Sequence, residues 1–159
     1  MKNIVIVFVS LFVILLPAIS QAEFPNRLCS FALGDDISNY QNRLDPKSLS
    51  LSNYYDYIAE LDIMPMEGLK SGSIQLGKCD AVNKIVSIKL KFEEKSKSFF
   101  KKLMRHYEKS FGPPDEYKGD VFQSVIAWKW AFENTEGERI SLIIQHNKMD
   151  QEEKIGNTV

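Results

Sequence analysis

His106 and His146 are the two imidazoles of this 159-residue chain, the side chains best suited to move protons near neutral pH. A metal site needs several such ligands converging. The sequence holds neither a His pair one helical turn apart nor an H-E-x-x-H motif. Asp35 with Asp36 and Glu93 with Glu94 are adjacent carboxylates. Chain neighbours rarely face one another, so helix capping and solvation explain them better than paired acid–base work. Scattered carboxylates such as Asp56 and Glu60 remain free to converge in space. There is no G-x-S-x-G elbow, no P-loop and no G-x-G-x-x-G. The expectation is a non-enzyme with no catalytic, cofactor-binding or metal residue, and no cofactor.

Cys29 and Cys79 are the two cysteines. An even pair in an exported chain reads as one disulfide, which would stabilise the fold by about 4 kcal/mol on the chain-entropy model. Redox catalysis is not expected without a C-x-x-C motif.

The aromatic set carries more information. Tyr54, Tyr55, Tyr57, Trp128, Trp130 and Phe132 fall on predicted strands, and Trp128 and Trp130 point the same way. Two readings stay open: an indole pair in the core, or an exposed patch for a protein or sugar-polymer partner. Residues 84–109 hold nine Lys or Arg against three Glu, although the chain as a whole carries −1. Such a strip suits an anionic surface, or is simply the solvated side of a helix. Lys101, Lys102, Arg105 and Lys109 with Trp128 and Trp130 are the candidate partner surface. Nucleic acid is disfavoured by the near-neutral total charge and by expected export.

The elements that must position these residues centre on residues 84–114. Val86, Ile88, Leu90 and Phe92 alternate with Ser87, Lys89 and Lys91, the period of a half-buried strand. Phe100, Leu103, Met104, Tyr107 and Phe111 then recur at helical spacing. Ser98 is the predicted N-cap, and Gly112-Pro113-Pro114 the stop. Upstream, Asp35 or Asp36 caps a short helix that carries Ile37, Tyr40 and Leu44 and ends at Asp45-Pro46. Residues 53–61 alternate like a strand, Pro65 and Gly68 break the run, and a second strand is predicted over 74–79. Downstream, a strand within 121–132 places Ile126, Trp128, Trp130 and Phe132 on one face. Asn134-Thr135-Glu136-Gly137 then turns into a return strand over 140–145. The polar end from about 147 is read as a frayed tail with one last short strand over 155–159. The predicted fold is α+β: an antiparallel sheet of about five strands with one long and one short helix on one face.

Residues 1–22 read as a signal peptide: Lys2, an apolar run over 4–16, Pro17, and Ser20-Gln21-Ala22 at the cleavage point. That leaves residues 23–159 as a single domain, periplasmic or secreted, with no further apolar segment of spanning length. Cys29 stands too far behind that point to be a lipid-anchoring cysteine.

The layout Leu33-Gly34, helix, meander, Phe111-Gly112-Pro113, Trp-rich strand and hairpin resembles small exported bacterial envelope proteins. It is broadly similar to the assembly lipoproteins of the outer-membrane β-barrel insertion machinery and to secreted β-lactamase-inhibitor proteins. This chain departs from the first group in lacking the anchoring cysteine. The resemblance implies a non-catalytic binding or accessory role in the envelope, with another envelope protein or an anionic envelope surface as partner. Two alternatives stand beside it. One is an inhibitor of an exported hydrolase acting through residues 64–68 or 113–119, and the other is a small-molecule carrier.

Overall fold

The computed structural model describes residues 24–52 and 54–148, together with the strand residues 157–158. The signal peptide expected at 1–22 lies outside them, as does most of the tail.

The chain is mostly β, which corrects the predicted five-stranded sheet with a long and a short helix. A two-stranded hairpin, β1 (Arg27–Leu28) with β2 (Phe31–Ala32), comes first. A group of four follows: β3 (Ser50–Leu51), β4 (Ile58–Asp62), β5 (Leu69–Gly77) and β6 (Ile85–Phe92), each antiparallel to the next. The helix α1 (Lys97–Phe111) crosses to a group of three, β7 (Glu116–Tyr117), β8 (Val125–Glu133) and β9 (Arg139–Asn147). Residues 157–158 form β10, which lies between β6 and β9 and pairs with both. The expected short helix is a 3-10 segment, Ile37–Arg43, capped by the Asp36 carboxylate accepting from Ser38 N. Strands of two residues have no period to read, so four of them escape a pattern-based prediction.

Two apolar clusters make the core. The first packs Phe31, Tyr40 and Leu44 against the β4–β6 group, with Ile74 and Leu90 wholly buried. The second packs Phe100 and Met104 of α1 against Trp130 and Ile144. Leu28 and Phe92 touch both.

Local chemistry sets the boundaries. Ser96, not Ser98, caps α1: its hydroxyl accepts from Phe99 N at 3.2 Å, the N3 position of a helix starting at Lys97. Gly112 closes the helix at φ +81°, donating to Glu108 O at 2.9 Å. In β6 the register against β5 slips between Gln75 and Leu76, whose partners are Ser87 and Ile85. Val86 is the extra residue, so Ile85 enters the core and Val86 is left exposed. β8 begins only at Val125 because the Asp120 carboxylate takes the N–H groups of Ser124 and Val125, at 2.8 and 2.9 Å. That turn leaves Val121 and Phe122 at least 90% exposed, outside the strand predicted for them. Tyr54, Tyr55 and Tyr57 precede β4 and are exposed, so their alternation does not mark a strand either.

Candidate binding cleft between two strand edges

β6 and β9 both run antiparallel to β10, so they are parallel to one another. β10 meets β6 at one position, Thr158 opposite Lys91. It meets β9 at two, Asn157 opposite His146 and Thr158 opposite Gln145. Toward the other end, β6 next finds a partner on that side at Ile85. There the carbonyl accepts from Gly34 N at 2.8 Å, and the N–H donates to Asp35 O at 3.0 Å. Between these two anchor points, over 86–90 of β6 and 140–144 of β9, no described strand pairs with the facing edges.

The gap is a cleft of about 930 Å³. Its walls are the two edges, the hairpin arm at residues 24–28, and the last turn of α1 through Tyr107, Ser110 and Phe111. The lining mixes apolar and polar side chains, and its charged residues are Arg27, Lys89 and Arg139, with no carboxylate among them. Arg139 is held by Glu133 at 2.9 Å, which leaves Arg27 and Lys89 as the cations best placed for a guest. Burial, with the Cys29 charge adding to it, pushes the Tyr107 phenol above its ordinary range. Tyr107 therefore meets a guest as a neutral donor at any physiological pH.

Leu33 lines the cleft just before the Gly34 and Asp35 backbone groups that bond Ile85. The Tyr40 hydroxyl donates to the Asp35 carboxylate, and burial followed by that hydrogen bond raises the phenol's pKa.

The predicted partner surface does not stay together. Lys101, Lys102, Arg105 and Lys109 are exposed along the outer side of α1. Trp130, by contrast, is 1% exposed, its Nε1 donating to Gly112 O at 3.0 Å, so it is a core residue. Trp128 is half-buried with Tyr117 stacked edge-on at 4.9 Å. The indoles share a strand face with Ile126 and Phe132, as the alternation implies, and that face is covered by α1. His146 is buried and stacks on Phe100 at 5.4 Å, while His106 is exposed beside Tyr107. Among the described residues no group of three metal-ligating side chains comes together. Of the two predicted inhibitory loops, 113–119 is occupied in part by β7 on the edge of β8, so it does not protrude as a free loop. The protruding apolar tip is Val121 with Phe122 instead.

Cys29 and Cys79 are both exposed free thiols, so the expected disulfide is not formed. Cys29 sits at φ +51° in the β1–β2 turn and Cys79 in the β5–β6 connection. A thiol titration of the folded protein without denaturant is expected to count two reactive groups per chain. A count near zero, restored by reductant, would show that the hairpin moves to close the bond.

No protein-family model, curated protein or solved structure matches this chain.

Proposed function

We propose that the protein is a non-catalytic binding or accessory protein of the bacterial cell envelope, and that it holds an elongated partner in the cleft between β6 and β9. The single observation carrying this reading is the cleft itself. Its 930 Å³ falls in the size range of ligand sites, and it combines apolar and polar walls with basic side chains and no carboxylate in the lining. The leader-like residues 1–22 support export.

Hydrolase inhibition is a second reading, favoured by the Val121–Phe122 tip. Two nearly fully exposed apolar side chains on a turn fixed by Asp120 would suit insertion into another protein's groove.

Cross-linked capture from envelope extract, run with matched variants, separates the surfaces. Leu142→Arg places a charge in the cleft wall, whereas Lys101→Glu with Lys102→Glu and Arg105→Glu reverses the helix strip. The cleft variant is expected to lose the wild-type partner by about tenfold or more, and the strip variant to keep it. Retention by the cleft variant with loss from the strip variant would move the function to the helix. Loss only in Phe122→Ser would support the inhibitor reading.

A further inference from the structure

The geometry points to a long-chain fatty acid as the guest of the cleft, its hydrocarbon chain along the apolar side and its carboxylate at Lys89. The assignment rests on the binding reading above and names its ligand.

The observation behind it is that the cleft has two unlike sides. Lys91, Thr158 and Gln145 stand level across β6, β10 and β9. Level residues of paired strands point the same way, so Ser87 and Lys89 share a face with Ser141, Ile143 and Gln145. All five line the cleft. Ile88 and Leu142 point the other way, where they pack on the first and second core clusters. Ile140 joins them, opposite Phe132 on the ladder. These three line the cleft as well, with Leu28, Leu33 and Phe111 beside them. One opening is therefore lined by hydrocarbon toward the core and, Ile143 apart, by polar groups toward the outer face. That polarity matches an amphiphile, whose chain avoids water while its head keeps polar partners.

Charge then selects the head. Arg139 is tied to Glu133, whereas Lys89 and Arg27 are in no ion pair among the described residues. No carboxylate lines the cleft, so an anionic head meets attraction and a cationic one repulsion. Lys89 lies on the polar side, and Ser87 and Ser141 add one hydroxyl from each strand edge. One point charge with two neutral donors suits a small monoanion such as a carboxylate. The volume of 930 Å³ leaves room for a whole acyl chain beside the head.

The test is displacement of dansylaminoundecanoate from the purified protein, followed by its fluorescence and kept below micelle formation. Laurate, dodecanol and dodecylamine share one chain and differ in the head, whereas butyrate keeps the carboxylate and loses the chain. Expected is saturable laurate binding, at least about fivefold tighter than that of dodecylamine. Butyrate should bind at least about a hundredfold more weakly than laurate. Lys89→Glu should reverse the order of laurate and dodecylamine, and Lys101→Glu, on the outer side of α1, should leave it unchanged. A purely structural role of Lys89 would not reverse a preference between heads. Leu142→Trp fills the apolar side without adding charge and should weaken laurate at least about tenfold. Lys89 is exposed, so its variant decides the matter even where Leu142→Trp fails to fold. Dodecylamine binding as tightly as laurate, or an unchanged order in Lys89→Glu, would overturn the fatty-acid assignment. So would laurate binding unaltered in a folded Leu142→Trp protein, which would place the ligand elsewhere. If no amphiphile binds, the assignment fails as well, and the cleft-binding reading then stands or falls on the Leu142→Arg capture alone.

Discussion

Trp130→Ala is expected to lose about 3–5 kcal/mol of folding stability, the largest effect of any change in the β7–β9 group. The indole is 1% exposed and forms the floor against which Phe100 and Met104 of α1 pack. Removing it leaves a cavity under Phe100 and Met104 of α1, and Gly112 O loses the donor it accepts from. Ordinary domains have only about 5–15 kcal/mol in total, so urea titration should show a midpoint falling by about a fifth or more. Trp130→Phe keeps much of the volume and loses the 3.0 Å hydrogen bond, and should cost about 1–2 kcal/mol beyond the loss of ring volume. Trp128→Ala is the internal comparison. That ring is only half-buried, on Tyr117, and its loss should cost distinctly less than that of Trp130. A Trp130→Ala protein within about 1 kcal/mol of wild type would mean the indole is not the centre of this cluster.

What the sequence makes legible is what local chemistry decides. The α1 stripe of Phe100, Leu103, Met104, Tyr107 and Phe111 needs only its own spacing, and the structure uses it. The turn at Asn134 is equally local. Its side-chain oxygen accepts from the N–H groups of Glu136 and Glu138 at 3.0 and 2.9 Å, and Gly137 takes φ +81°. The Trp-rich strand also alternates as its pattern implies. Errors begin where a pattern has no unique cause. Ser96 and Ser98 sit two residues apart with their hydroxyls 2.8 Å from each other, and only one can stand three residues before the first free N–H. Tyr55 and Tyr57 alternate with Tyr54 and Asp56, yet past the Ile58–Gly77 pair the ladder adds one bond, Lys78 N to Tyr57 O at 2.9 Å, before the chain turns at Tyr55–Ile58. The slip that leaves Val86 exposed belongs to the pairing of β5 with β6, not to either strand alone.

The cleft is the least legible feature. It exists because β6 and β9, separated in sequence by a helix and two strands, fail to pair over five residues. No residue type marks a missing partner. The nearest sequence signals were the uncompensated basic residues of 84–109, of which only Lys89 lines the cleft, and a polar tail ending in a short strand. The exposed Val121–Phe122 tip was hidden for a different reason. Two apolar residues before an alternating run extend the strand pattern, and only the Asp120 hydrogen bonds show that the turn wins.

Phe31→Ala is expected to match Trp130→Ala in magnitude, about 3–5 kcal/mol, from the opposite end of the core. Phe31 is wholly buried, 5.1 Å from the Tyr40 ring, and pairs across the hairpin with Leu28. Its loss frees Tyr40, and with it the Asp35 segment that bonds β6 at Ile85. The informative readout is the pair of probes. Both tryptophans lie on β8, so indole fluorescence reports the β7–β9 group alone, whereas far-UV circular dichroism reports all the strands. Leu28 and Phe92 pack against both clusters, and β10 pairs with both groups. Damage at Phe31 should therefore pull the two signals down together, at one midpoint in urea. If dichroism falls first while the fluorescence midpoint stays at its wild-type value, the groups unfold separately. The contacts at Leu28 and Phe92 would then be too weak to couple them, and a guest binding both walls of the cleft would become the main bond between the halves. In that case the ligand, by engaging only the assembled state, should merge the two transitions into one.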